Sequence, residues 1–241
     1  MDKRKDNIMN KPLSWYDDIG MFGINRPIND IPEHNILGSC IHRTSFCDDT
    51  CYNLKLYKLY KGMKDKDVRD EKFWQSLPTT YDSYNESLSR IITQLERAKK
   101  QTERARFMTR GEGIKDIQDI FRIKVVCKAT PDTIWWLPTR AWRNTKLKSL
   151  IEEILFPIKN LSICASIDPT TTKEEEQMLI DDKWSTMFYG DDHKTTMSDN
   201  TRQFKCPKTH KKIKGHCGIC KAGCFGQRVI DRQTHVHLSQ H

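Results

Sequence analysis

Apolar residues recur at helical spacing across 83–103, where Leu88, Ile91, Ile92, Leu95 and Ala98 share one face. Ser83 and Glu86 at its start have the form of a capping box. Downstream the pattern becomes rhythmic. Residues 106–109 read as a short strand, and 114–128 as a helix with Ile117, Ile120, Phe121 and Val125 inward. Residues 133–137 read as a strand, and 146–155 as a helix built on Leu147, Leu150, Ile151 and Ile154. Two further strands are expected at 161–167 and 184–189. Upstream, 1–38 contains Pro12, Pro27 and Pro32 without sustained periodicity. It is expected to be an irregular arm, anchored by Trp15, Tyr16, Met21, Phe22 and Ile24. Residues 39–62 combine a cysteine cluster with a plausible helix, and 63–75 is charged, helical or looped.

Strands alternating with helices of this length predict βαβ units and a parallel sheet. The expected fold is α/β, a partial or trimmed (β/α) barrel, because a full eight-stranded barrel needs about 250 residues. The expected organisation is an arm at 1–38, an α/β body at 39–200 and a basic cysteine-rich metal-binding element at 201–241. In such folds active sites lie at the C-terminal ends of the strands. Polar residues gather at those ends here: Arg110 and Glu112, Thr139 and Arg140, Ser166 and Asp168, Asp191 and Asp192.

Composition narrows the picture. Hydrophobic residues make up 37% and charged residues 30%, which implies a modest core and a large solvated surface. No apolar run is long enough for a membrane span. The opening Met1-Asp2-Lys3-Arg4-Lys5-Asp6 has no apolar stretch behind it, so it is read as no secretory leader and the expected location is cytoplasmic. The net charge of +9 is unevenly spread. Residues 201–241 hold nine Lys/Arg and one acid, whereas 165–200 hold nine acids and three lysines. A cationic end of this kind points to a polyanion partner, nucleic acid and most naturally DNA, or to charge pairing within the chain.

Nine cysteines in a chain with no sign of export are read as metal ligands or redox groups. Cys206, Cys217, Cys220 and Cys224 follow C-x10-C-x2-C-x3-C. A C-x2-C knuckle lets two thiolates share one ion, and the flanking pair completes a tetrahedron, as zinc prefers. His210, His216, His235 and His237 are alternatives for one ligand, and the nearby lysines would offset thiolate charge. A second cluster, Cys40, Cys47 and Cys51, follows C-x6-C-x3-C. Three thiolates suit zinc with an open fourth position, or a [4Fe–4S] cluster with one iron open. Cys127 and Cys164 read as buried small hydrophobes.

Cys40, Cys47, Cys51 and Tyr52, then Arg106-Phe107-Met108-Thr109-Arg110-Gly111-Glu112, resemble a phage family called gene product 88. So do 131–140, 160–163 and the closing knuckle from Cys206-Pro207 to Cys224. The resemblance covers roughly 36–226. Where that family usually carries Gly-Asp, this chain has Gly111-Glu112, a carboxylate one methylene longer. At fold level the layout is similar to base-exchanging transglycosylases that install deazaguanines in phage DNA. That similarity implies a nucleic-acid-modifying enzyme acting in the cytoplasm of an infected host.

Three functions follow as expectations. In a transglycosylase, Glu112 and Asp168 would be the catalytic carboxylates. Arg110, Thr139 and Arg140 would hold phosphate or a carbonyl oxygen, and Trp135, Trp136 or Trp142 would stack on a flipped base. The second is an iron–sulfur redox or radical enzyme centred on Cys40, Cys47 and Cys51, although their spacing is not the C-x3-C-x2-C usual in radical enzymes. The third is a non-enzymatic zinc module that binds nucleic acid through 201–241.

Overall fold

The computed structural model describes residues 12–60, 62–191, 196–210, 217–218, 220, 224 and 233–239. Asp192, His216 and the lysines Lys211, Lys212, Lys214 and Lys221 fall outside the described residues, as does the side chain of His210. Eight strands are described: β1 Ser14–Tyr16, β2 Met21–Ile24, β3 Arg104–Phe107, β4 Ile134–Thr139, β5 Leu161–Ile167, β6 Ser185–Gly190, β7 Phe204–Lys205 and β8 His235–Ser239. The helices are α1 Ser45–Thr50, α2 Tyr52–Leu59, α3 Met63–Ser76, α4 Glu86–Ala98, α5 Ile117–Ala129, α6 Thr145–Ile154, α7 Lys173–Asp181 and α8 Pro207–His210.

All eight strands join one sheet in the order β1-β2-β3-β4-β5-β6-β8-β7. Only the β1–β2 hairpin is antiparallel; every other neighbour pair is parallel. The order is linear, with β1 and β7 as edges and no pairing between them among the described residues. The mostly parallel sheet is as expected, and no barrel closure is seen among the described residues. The arm expected to be irregular supplies β1 and β2, and the C-terminal element supplies β7 and β8.

From β2 through β6 to β8 each parallel strand adds to the same side of the last. Right-handed crossovers that never reverse direction place every crossover helix on one face of the sheet. The core shows this. Phe22, Phe107, Trp135, Leu137, Ile163, Ala165, Ile167 and Phe188 point to one face and share a cluster with Trp74 of α3, Ile91 of α4, Ile120 of α5, Ile151 of α6 and Leu179 of α7. The alternate positions, Met21, Trp136, Cys164 and Met187, form a separate cluster on the opposite, helix-free face.

Helix starts are set by short polar side chains. Asn85 Oδ1 accepts the Leu88 N–H at 3.0 Å, so Asn85 caps α4 in place of the expected Ser83 box. A cap of this type contributes about 1 kcal/mol. Asp116 and Asp119 form a capping box on α5, and Thr172 and Glu175 another on α7. Helix α3 is tied in by charge. Arg26, in the loop after β2, donates to both oxygens of Glu71 at 2.7 Å and to Asp119 Oδ2 at 2.7 Å. Trp74 Nε1 donates to Asp119 Oδ1 at 2.6 Å. Burial acts to raise the Asp119 pKa, but Arg26 and Trp74 outweigh it and hold the carboxyl below the usual carboxylate range.

Candidate functional site

The loops leaving β2 and β3 are laced together before they reach the site. Arg26 N–H donates to the Arg110 carbonyl at 3.1 Å. Arg110 N–H donates to Asn25 Oδ1 at 3.1 Å, and the Thr109 hydroxyl donates to the same oxygen. Gly111 then turns at φ +83°, a conformation that favours glycine, and a Cβ there would lie 2.5 Å from the Arg26 carbonyl oxygen. Close approach of the two loops thus requires glycine, and the turn delivers Glu112 over the strand ends.

Glu112 is 7% exposed, and both its oxygens are engaged. Oε1 accepts from the Thr139 hydroxyl at 2.7 Å and from Ile114 N–H at 3.1 Å; Oε2 accepts from Arg140 N–H at 2.8 Å. Its own N–H donates to Ser39 Oγ at 2.8 Å, one residue before Cys40. Asp168, at the end of β5, is 1% exposed. Its Oδ2 accepts from Arg140 Nη2 at 2.8 Å and from the Thr44 hydroxyl at 2.7 Å. Its Oδ1 accepts from Thr170 N–H at 2.9 Å and the Thr170 hydroxyl at 2.6 Å. Burial acts to raise the Asp168 pKa, but the bonds from Thr170, Arg140 and Thr44 prevail, so it stays below the usual carboxylate range.

Above these carboxylates sit the three N-terminal cysteines. Thr44 Oγ1 caps α1 by accepting the Cys47 N–H at 3.2 Å, and Cys51 N–H closes the helix onto the Cys47 carbonyl at 3.0 Å. Phe46 packs edge-on against Tyr189 of β6 at 5.9 Å. Burial pushes the Cys40 thiol up to about 12, and Glu112, Cys51 and Cys47 add to it. Burial disfavours the Arg140 cation, yet Cys47, Asp168 and Glu112 together raise its pKa above the ordinary value. Six residues expected from sequence, Cys40, Cys47, Cys51, Glu112, Arg140 and Asp168, therefore meet at the C-terminal mouth of the sheet, with Thr139 beneath Glu112.

Arg110 stands elsewhere. It pairs with Asp67 of α3 and lies 3.9 Å from Asp70, which makes it a brace between the β3 loop and α3. Trp135, Trp136 and Trp142 are all buried. Sequence reasoning missed Asn25, Ser39, Thr44 and Thr170, short polar residues without a distinctive spacing. Only the position of Thr44, three residues before Cys47, carried a signal, that of a helix cap.

The C-terminal cysteines occupy a different place. Cys217 and Cys224 pack on the helix-free face against Met21, Trp136, Cys164 and Met187. Burial raises the Cys224 thiol pKa, and Cys164, Cys206, Cys217 and Cys220 raise it further. Cys164, expected to be a simple buried hydrophobe, is thus a neighbour of this group; its thiol is pushed up to about 11 by burial, against a hydrogen bond from Trp136. Among the described residues no three His, Cys, Asp or Glu side chains already stand as a formed metal-binding group.

No helix among the described residues is long and apolar enough to cross a membrane. No curated protein and no solved structure matches the chain. The profile of a family described as gene product 88 matches residues 6–230, reaching back over the arm that the resemblance read from motifs left outside. With nearly its whole length matched, the chain belongs to the phage gene product 88 family.

Proposed function

We propose that this protein is an iron–sulfur enzyme in which Cys40, Cys47 and Cys51 hold a [4Fe–4S] cluster with one iron left open. The observation that carries this reading is the convergence of the three thiols on the C-terminal ends of β3–β5, beside the half-buried Arg140 cation. Cys51 and Cys47 add to the burial that opposes ionisation of the Cys40 thiol, and a cluster cation would reverse that penalty by displacing its proton. When bound, the cluster supplies single electrons and one coordination position for a substrate atom.

The protein's own groups do the rest. Arg140 offsets thiolate charge next to Cys47, and Asp168 fixes the direction of its guanidinium. Glu112 holds the Arg140 backbone amide and the Thr139 hydroxyl, and through Ser39 it fixes the chain entering Cys40. Thr44 keeps α1 closed over the site. A base-exchanging transglycosylase acting on DNA would instead use Glu112 or Asp168 as nucleophile or proton carrier. Every one of their four oxygens already accepts a hydrogen bond, so that reading needs those contacts to open when substrate binds.

Anaerobic purification with iron, sulfide and zinc analysis and a visible spectrum tests the proposal. About four irons per chain with a broad visible band, lost in Cys47→Ala, is the expected result. A colourless protein that holds no iron after reconstitution with ferrous iron and sulfide overturns it.

A further inference from the structure

We propose that Cys206, Cys217, Cys220 and Cys224 form a second, separate centre for a zinc-class divalent cation, that this centre covers the helix-free face of the sheet, and that Arg104 seats it.

A sheet wound in one direction leaves one face without helices, and here that face carries Met21, Trp136, Cys164 and Met187. Left open, so large an apolar surface would be a liability in water. Cys217 and Cys224 pack against it, and the described residues of the cysteine element are tied down from four directions. Arg104, the first residue of β3, donates from Nη1 to the carbonyls of Cys217 and Cys220, at 2.8 and 2.7 Å. The Ser162 hydroxyl of β5 donates to the Cys224 carbonyl at 2.8 Å. Cys206 N–H donates to the His237 carbonyl of β8 at 2.9 Å, and Gly218 N–H to the Ile19 carbonyl in the β1–β2 turn at 2.9 Å. At Gly218 the contact is so close that a Cβ would fall 2.2 Å from the Gly20 carbonyl oxygen.

These anchors fall on the backbone atoms of the four cysteines and of Gly218. Cys220 N–H turns back to the Cys217 carbonyl at 3.3 Å, as a C-x2-C knuckle does when both thiolates face one ion. Arg106, stacked 4.5 Å over Trp136, adds positive charge near Cys164 and Cys217, which suits a thiolate-rich centre. Four soft thiolates select a tetrahedral, zinc-class ion, and the nearby Asp18 is paired with Lys208 at 2.8 Å. Arg104, Ser162 and Ile19, which hold Cys217, Gly218, Cys220 and Cys224, lie toward the N-terminal ends of the strands. The thiols that act on Cys224 are Cys164, Cys206, Cys217 and Cys220, whereas those that act on Cys40, at the C-terminal ends, are Cys51 and Cys47. The two groups are therefore separate centres, and this inference stands without the iron–sulfur reading.

The test uses the full chain. Metal analysis with zinc-edge X-ray absorption is expected to give one zinc with four sulfurs at about 2.3 Å. That zinc should persist when Cys40, Cys47 and Cys51 are all changed to serine, and disappear in Cys217→Ser/Cys220→Ser. Arg104→Ala should bind zinc but release it to a chelator at about tenfold lower chelator concentration, matching the affinity lost when a partner behind a ligand is removed. Removing zinc from the wild type should red-shift tryptophan emission, and Trp136→Phe should abolish that shift. Nitrogen or oxygen ligands, iron at these cysteines, unchanged release from Arg104→Ala, or no emission shift would each overturn the proposal. Should the double serine variant fail to fold, the absorption spectrum of the wild type still decides the ligand set.

Discussion

Thr44 donates its hydroxyl proton to Asp168 Oδ2 at 2.7 Å, joining residues 124 positions apart in sequence. Thr44 Oγ1 in turn accepts the Cys47 N–H at 3.2 Å, so one hydroxyl couples the end of β5 to the first turn of the cysteine helix. Asp168 completes the coupling by holding Arg140 from the end of β4.

Asp168→Asn should therefore destabilise the protein and loosen α1 together. The amide places an N–H against the Arg140 guanidinium, and losing a charged hydrogen bond costs about 2 kcal/mol. The pH dependence has a definite sign. The folded pKa of Asp168 lies below its unfolded value, so its contribution is present at neutral pH and is lost as pH falls below about 4. Urea midpoints measured from pH 7 to pH 3 should show the variant and the wild type converging at the acid end. A constant gap would mean that the carboxylate is not what matters.

Arg26→Met should be among the most damaging single changes. It leaves buried Glu71 with Lys115 at 4.0 Å and buried Asp119 with Arg122 at 3.1 Å as their remaining counter-charges, in a network that joins the β2 loop to α3 and α5. Removing one partner of a buried ion pair costs roughly 3–5 kcal/mol. Adding Glu71→Gln should restore part of the loss in a denaturant titration, since it removes one of the stranded charges.

Asp67 behaves in the opposite sense to Asp168. Burial raises its pKa to about 6, despite the favourable pairing with Arg110, and Asp70 and Glu71 add to the rise. The folded state then holds a proton that the unfolded state releases near pH 4, so stability falls as pH rises from about 4 to about 6. Asp67→Asn should flatten the stability profile in that window. An unchanged slope would place the Asp67 carboxyl in a far better solvated setting.

How much of this was legible depends on the force that places each residue. The α5–β4–α6–β5 rhythm was readable because alternate positions such as Trp135 and Leu137 are sorted by burial alone. Strand β3 begins two residues earlier than expected. Its alternation is Arg-Ala-Arg-Phe, and the arginines are inward on the helix-free face, where the carbonyls of Cys217 and Cys220 receive Arg104. Helix α7 was hidden by its acids, although Thr172 and Glu175 had the spacing of a capping box. Strands β1 and β2 are too short to show a period, and His235 and His237 disguised β8.

The site followed the same division. Glu112, Thr139, Arg140 and Asp168 were found because parallel strands must end where their loops meet. What those residues hold was not readable. Arg110 follows the same strand as Glu112, but the charged stretch 63–75, far off in sequence, brings Asp67 to it, and no local spacing records that meeting.

Gly111 offers a sharp test of how the mouth is assembled. Ala at φ +83° carries the cost of a left-handed backbone, about 1–2 kcal/mol, before any contact is counted. Its Cβ would then meet the Arg26 carbonyl oxygen at 2.5 Å and Ser39 Oγ at 2.7 Å. Neither is the end of a flexible chain: Arg26 is locked by two carboxylates, and Ser39 donates to the Pro27 carbonyl at 2.7 Å. Relief must come from moving the 109–112 turn, which carries Glu112 away from the Arg140 amide. Gly111→Ala should thus lower the denaturation midpoint and, in the same preparation, reduce iron retained after reconstitution. Gly62→Ala is the matched control, because nothing lies within 4 Å of its added Cβ. Gly111→Ala with the midpoint and iron content of that control would show that the turn yields freely, and Glu112 would then lose its assigned part in holding the cysteine loop.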